Sequence, residues 1–467
     1  MRIVVAFVFI PIATIKIGFC KGISFVGCLQ SERLALLRFK QDLIDPANRL
    51  VSWTSDHGDC CTWSGIVCDN LTGHVLELSL RTPPRKEVVS PAENDARQRS
   101  KLHGKINPSL LDLKHLRSLD LSNHNFEEVE IPRFLGSMQN LRYLNLSLSS
   151  FQGMIPPQLG NLSHLQYLGL GGMLDVKSLW WLSRLSLLKH LELDGVDLSN
   201  SSYWLQVIHT LPSLVVLKLS YCNLHHFPPQ PIASFSSLAS LDQSENYFEG
   251  SIPDGLQNLT SIRHIDLSEN EFNSSMPNWL YRLRNLEELF LSDNRLQGSM
   301  DGLGNLSSIK VLDLSQNNFE GGMPVSFGRL CNLRSISLSG IILNQEISQV
   351  LNIFSKCVAE VVESLDFRLT NLFGALNNQL GLFKNLKSLL LDYNSISGPI
   401  PRSLGQLSSL EILLLTNNQF NGTLSEIHFN NLTRLTVFGA SRNSLMLKVG
   451  PQWRPPFKLL IHVRSAV

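Results

Sequence analysis

The residues of this chain best suited to chemistry are its eight cysteines, its thirteen histidines and a recurrent set of aspartates. Their spacing argues against catalysis. The adjacent pair His225 and His226 lies in a Pro-rich loop with no carboxylate at ligand spacing, so no metal site is expected there. Gly171-Gly172 and Gly321-Gly322 lack the following Lys-Ser/Thr of a phosphate-binding loop, and no kinase signature occurs. Asp120, Asp242, Asp266 and Asp313 recur in one slot of a repeating pattern, which makes a solvated ladder of like charges and not an acid–base pair. The sequence therefore predicts no enzyme, no cofactor and no metal. A formal net charge of +1 supplies no field toward nucleic acid or an acidic membrane.

The cysteines have another use. Arg2 opens a basic start, Ile3 to Ile10 is apolar, and small or polar residues follow from Cys20, so residues 1–23 read as a secretory signal peptide. An uncleaved signal anchor is the alternative. Pro11 and Lys16, however, interrupt the run short of the roughly 20 apolar residues that span a bilayer. In an oxidising compartment Cys28, Cys60, Cys61 and Cys68 become a disulfide set; four cysteines allow three pairings, and the one that joins the neighbours Cys60 and Cys61 is disfavoured by disulfide geometry. Zinc is the rival, but no Cys-x-x-Cys spacing supports it. Cys331 and Cys357 sit about one repeat apart and form a plausible third pair, leaving Cys222 as a small buried thiol. Nine Asn-x-Ser/Thr sequons agree with secretion: Asn70, Asn145, Asn161, Asn200, Asn258, Asn273, Asn305, Asn421 and Asn431.

What must position these residues is a repeat. From Val75 to Leu435 a Leu-x-x-Leu-x-Leu-x-x-Asn frame recurs about fifteen times, mostly every 23 to 26 residues, with one 29-residue unit from Leu333 to Val362. The period-two core is a short strand with leucines inward, and stacked strands form a parallel sheet over one continuous core. Asn246, Asn270, Asn294, Asn317, Asn394, Asn418 and Asn443 turn the chain and can bond backbone of the adjacent coil. His124, Ser149, Val196, Cys222, Ile341 and Thr370 replace that asparagine elsewhere. A Gly-x-Ile-Pro segment follows many strands, as at Gly398 to Pro401, and leads into a helical back. The fold class is thus an α/β solenoid, a right-handed leucine-rich-repeat superhelix with its parallel sheet on the concave side. Residues 75–458 carry the repeats. Residues 81–100 interrupt the first one and read as a disordered excursion, with a lateral recognition loop as the alternative.

The full unit, Leu-x-x-Leu-x-Leu-x-x-Asn-x-Phe-x-Gly-x-Ile-Pro, resembles the plant extracellular leucine-rich repeat. Residues 24–74, with Leu34, Leu37, Phe39 and Leu43 at helical spacing, Trp53, and Cys60-Cys61-Thr62-Trp63 to Cys68, resemble the N-terminal cap of plant receptors and of polygalacturonase-inhibiting proteins. That resemblance implies the pairs Cys28–Cys60 and Cys61–Cys68. Leu179-Trp180-Trp181-Leu182, Trp204 to Ile208 and Trp453-Arg454-Pro455-Pro456-Phe457 are similar to receptor-like proteins of the ethylene-inducing-xylanase receptor class, which lack a kinase. Such proteins signal in defence from the external face of the plasma membrane, through partner receptor kinases.

The expected function is therefore extracellular recognition of a protein, peptide or glycan on the concave face. The candidate contact residues are Arg142, Tyr143, Lys189, His190, Glu192, Arg263, His264, Asp266, Glu287, Glu288, Phe290, Lys310, Asp313 and Arg334, all flanking inward leucines. A solvated face is the plainer reading of each one. The second functional reading is a free apoplastic inhibitor of a microbial cell-wall hydrolase. Residues 459–467 read as a divergent tail: a sixteenth copy starting at Leu459 would put His462 and Arg464 in leucine slots, which suggests a truncated form of a longer receptor.

Overall fold

The computed structural model describes residues 27–55, 58–83, 91–127, 129–227, 236–459 and 461–462, so the expected signal peptide lies outside the described residues. Sixteen strands, from Val75–Ser79 to Ile461–His462, pair in parallel in chain order. Register is set leucine against leucine, as in Leu144↔Leu168, Leu289↔Leu312 and Leu389↔Leu413. A one-residue slip would turn every leucine to solvent, so the pattern itself fixes the pairing. The inward side chains form one contiguous core running from Ala35 to Leu435. The back is built mainly of single 3₁₀ turns such as Pro157–Asn161 and Arg402–Gln406. The long unit differs: Ile347–Phe354 is an α-helix, and Cys331 and Cys357 are bonded beside it with their Cα atoms 5.0 Å apart.

The seven frame asparagines bind the coils together. Asn246 Nδ2 donates to the carbonyl of Leu219 in the preceding coil at 2.8 Å, and its Oδ1 accepts from the amides of Cys222 and Leu224 at 3.0 Å. Asn270, Asn294, Asn317, Asn394, Asn418 and Asn443 repeat this with the carbonyls of Gln243, Leu267, Leu291, Phe367, Leu391 and Leu415. Among the replacements, Ser149 keeps a donor to the preceding coil, to Leu121 O, and Thr370 donates within its own coil, to Phe367 O, whereas Val196 and Ile341 simply fill the core.

His124 reproduces the asparagine with a ring. Its Nδ1 accepts from Leu102 N at 3.1 Å, so its Nε2 carries the proton and donates to Leu80 O at 2.9 Å.

The cap holds a helix, α1 (Gln30–Gln41), and the strand Ile66–Cys68, which runs antiparallel to Val75–Ser79. Cys28–Cys60 and Cys61–Cys68 are bonded, and Cys222 is a buried free thiol. The buried face of α1 is Ala35, Leu36 and Phe39, not the expected Leu34, which is exposed, nor Leu37, which is half-buried. On the same face Glu32 is buried: it accepts from Val75 N at 2.7 Å and meets His74 Nδ1 at 2.9 Å, which joins the helix to the first strand.

Another expectation is corrected. Within residues 81–100, a helix, α2 (Pro91–Arg99), stands where a disordered excursion was expected, and Arg49 ties the flanks by donating to Leu80 O and Ser100 O. The segment expected to diverge in sequence from the repeat still pairs through a two-residue strand, with Ile461 opposite Val437 and His462 opposite Phe438, and its divergence in sequence is not tested by this pairing.

His124 generates a pH prediction. Burial first, then the charge of Arg49, with smaller contributions from Lys101 and His103, lowers its pKa to about 4, against the opposing bond to Leu80 O. The fold therefore favours the neutral ring. Its contribution is complete above the unfolded value near 6.5 and is lost as pH falls toward 4, up to about 3 kcal/mol. His124→Asn supplies the same donor and acceptor without titrating. Denaturant midpoints of the two proteins should run together above pH 6.5 and separate below it, the wild type falling further; parallel curves down to pH 4 would refute the assignment.

Candidate functional site

Every strand presents to the concave side the residues that flank its inward leucine. Neighbouring strands lie about 4.8 Å apart, so equivalent side chains of successive repeats sit side by side. The structure sorts the expected contact residues into clusters by this rule.

The first cluster is aromatic. Tyr143 and Tyr167 stack with ring centroids 4.2 Å apart, and His190 continues the stack at 4.2 Å from Tyr167. Polar groups hold the rings. Tyr167 Oη donates to Glu192 Oε2 at 3.1 Å, Tyr143 Oη donates to Asp120 Oδ2 at 3.4 Å, and Asn145 Nδ2 donates to both phenol oxygens at 3.3 and 3.4 Å. Gly169 makes the stack possible, since a Cβ there would press within 2.7 Å of Asn145 Oδ1. Burial, with the adjacent carboxylates, raises the pKa of both tyrosines, so both phenols stay protonated donors. Glu192 is lowered despite a desolvation cost, because His190, Lys218 and Tyr167 favour its charged form. Next to it Asp194 is pushed up to about 6 by burial and by the charge of Glu192. This arrangement can bind: it offers ring surface, fixed hydroxyl donors and carboxylate acceptors, with phenols too weakly acidic to serve as bases.

The second cluster is ionic. Glu287 bridges Arg263 at 2.7 Å and Lys310, and these two hydrogen-bonded cations lower its pKa. His264 Nδ1 lies 2.9 Å from Glu288 Oε2, and Phe290 leans on His264 with centroids 5.5 Å apart, half-buried and not a freestanding anchor. Asp266 and Asp313 each accept from the amide and hydroxyl of the serine two residues on, Ser268 and Ser315. Arg334 pairs with Glu363, which also holds Lys387. Arg142 and Lys189 stand exposed, outside these clusters.

The sequence reading missed Tyr167, Glu363 and Lys387, and took Asp120 for one step of a solvated ladder of like charges. A signal existed: Tyr167 repeats the slot of Tyr143 one coil later, and Arg334, Glu363 and Lys387 alternate in sign in one slot over three coils. The sequons divide sharply. Asn70, Asn161, Asn200, Asn258, Asn273, Asn305, Asn421 and Asn431 are exposed, but Asn145 is 8% exposed inside the strand Tyr143–Asn145. Its amide is committed to the tyrosine stack, so the structure argues against the glycan expected there.

Comparison with known proteins agrees with the geometry. Residues 29–69 match the family described as leucine rich repeat N-terminal domain, and residues 114–172 and 244–296 match leucine rich repeat. The chain carries a leucine-rich-repeat N-terminal domain and leucine-rich repeats. Over 218 residues, 46% of the chain, it is 45% identical to "Receptor-like protein EIX1" of Solanum lycopersicum, and over 215 residues it is 39% identical to "Receptor-like protein EIX2" of the same plant. The matched part spans only 21% and 20% of those proteins, about a fifth of their length. Among solved structures, the Arabidopsis receptor kinase HAESA, in complex with the peptide hormone IDA and the co-receptor SERK1, aligns with a TM-score of 0.64 at 25% identity, covering 89% of this chain and 74% of that one. PEPR1–AtPEP1 aligns with a TM-score of 0.52 at 28% identity, covering 92% of this chain and 56% of that one. The chain shares the fold of these receptors.

Asn145 gives a direct check on the site. A glycan on its Nδ2 would break the bonds to Tyr143 and Tyr167, so folded, secreted protein should carry Asn145 unmodified while exposed sequons are occupied. Site-resolved glycopeptide mass spectrometry measures this, and a glycosylated Asn145 in folded protein would contradict the packing.

Proposed function

We propose that the chain is the ligand-recognition portion of a plant cell-surface receptor-like protein acting in defence. An extended peptide, or an exposed segment of a secreted microbial protein, lies along its concave face, anchored on Tyr143, Tyr167 and His190. The observation that carries the reading is that aromatic stack. It is rigid before any ligand arrives, it combines ring surface with fixed polar groups, and aromatic residues of this kind dominate binding energy at protein interfaces. The neighbouring charges do not compete as anchors, because Arg263, Lys310 and Arg334 are already paired across the sheet. Two further observations support the reading: the identity to the tomato receptor-like proteins, and the likeness to a receptor structure holding a peptide hormone. The work is binding, not catalysis. Its output passes through a receptor-kinase partner at the plasma membrane.

The test uses the tagged, secreted chain to capture proteins and peptides from the extracellular wash of infected tissue. Tyr143→Ala and Tyr167→Ala together should lower affinity for the captured ligand by roughly tenfold or more, while Lys310→Ala, which leaves Glu287 paired with Arg263, should change it by less than about threefold. Equal capture by the tyrosine variant would overturn the assignment of the face. Capture of a hydrolase whose activity falls on binding would replace the receptor reading with that of an inhibitor.

A further inference from the structure

Trp180 and Tyr203 have no role in the core or on the concave sheet. They are 51% and 61% exposed, whereas Trp181 and Trp204 beside them are buried. Single exposed aromatics are ordinary, but these two share one hollow with an attachment site for a ligand. The topology brings them together. Asp175 and Asp197 form a parallel bridge, so the segments that follow each of them start side by side. Further on, Lys177 to Trp180 together with Asn200, Ser201, Tyr203 and Trp204 line one shallow hollow of about 60 Å³. Asn200 belongs to the exposed sequon Asn200-Ser201-Ser202 and stands in the wall of that hollow, beside both aromatic residues.

We propose that Trp180 and Tyr203 form a docking shelf for the N-linked glycan carried by Asn200, so that the first sugar residues lie against the protein and do not project freely into solvent. The inference rests on passage through the secretory pathway and is independent of the ligand on the concave face. The chemistry fits. The faces of an N-acetylglucosamine ring are lined by C–H groups whose polarisation complements the electron-rich face of an indole or phenol. Tyr203 and Lys177, which line the same hollow, offer a hydroxyl and an ammonium as polar partners for sugar hydroxyls. Attachment to Asn200 removes most of the entropy that a free saccharide would lose on binding, so a shallow shelf suffices where a separate ligand would need a pocket. Because the hollow joins two successive coils, the bound glycan also clamps one repeat to the next.

The experiment measures release of each glycan from the folded, secreted chain by peptide-N-glycosidase, followed site by site by mass spectrometry. The enzyme must reach the bond between asparagine and the first sugar, which the shelf covers. In the wild type, Asn200 should be deglycosylated about fivefold more slowly than in Trp180→Ala, the factor expected from a contact of about 1 kcal/mol. Trp180→Phe should restore most of the protection, and release at Asn273 and Asn421 should be unchanged in every variant. Those two sites report any general loosening, so a misfolded variant announces itself by accelerating all sites. An unoccupied Asn200, or equal release rates in the wild type and Trp180→Ala, would overturn the proposal.

Discussion

The structure depends on how a stack of coils, each too small to have its own core, satisfies buried backbone where no strand partner exists. At the end of each strand the chain turns inward, and its amides and carbonyls leave both the sheet and water. The asparagine side chain solves this by carrying a donor and an acceptor on one rigid group. Asn294, for example, donates to Leu267 O and accepts from Phe272 N, so one side chain binds two earlier segments. An unpaired buried amide costs on the order of 1–3 kcal/mol, and the need recurs once per coil. The slot therefore tolerates either an equivalent donor–acceptor group or a purely apolar filler. The ring of His124 and the methyl groups of Val196 show the two solutions.

Once the ladder holds successive coils in fixed register, the concave face follows. Residues one repeat apart in sequence become lateral neighbours, so the chemistry of the surface is written in columns and not along the strand. In the column of Arg263, Glu287 and Lys310, alternating sign neutralises the charges pairwise. The same holds for Arg334, Glu363 and Lys387. Where like charges meet without cations, protonation shifts upward: Glu269, in a neighbouring column, is raised by desolvation and by Glu245, Asp293 and Asp266.

This explains how far the sequence could be read. The leucine frame is a local signal, and it located strands, register, core and the ladder, because those residues answer to their own coil. The staple between Cys331 and Cys357 was legible for the same reason, since one repeat of separation brings equivalent positions together. What escaped depends on relations between coils. Tyr167 gains its meaning from Tyr143 and His190 on either side, and Asn145 looks like any other sequon until its strand is placed. The buried face of α1 was also misassigned. There the run from Leu34 to Phe39 offers more than one apolar face, and the one that is buried, Ala35, Leu36 and Phe39, lies with Glu32, whose bond to Val75 N spans 43 residues of sequence.

The same logic separates residues that hold the concave face from residues that can read a ligand. An exposed ion pair contributes about 0–1 kcal/mol, and a ligand that inserts its own charge must first break a pair of similar worth. On the proposed reading, Arg263, Glu287 and Lys310 would tune the field and the approach of a partner more than hold it. Asp266 and Asp313 are partly spent as well, each with one oxygen bonded to the following serine. The stack of Tyr143, Tyr167 and His190 is different in kind. Its hydrogen bonds fix the rings in place without covering them fully, so contact with a ligand removes apolar surface from water and breaks nothing already made. On the reading proposed above, a face that spends its charges on itself and leaves fixed aromatic surface half-open would recognise shape and apolar contact first, and charge second.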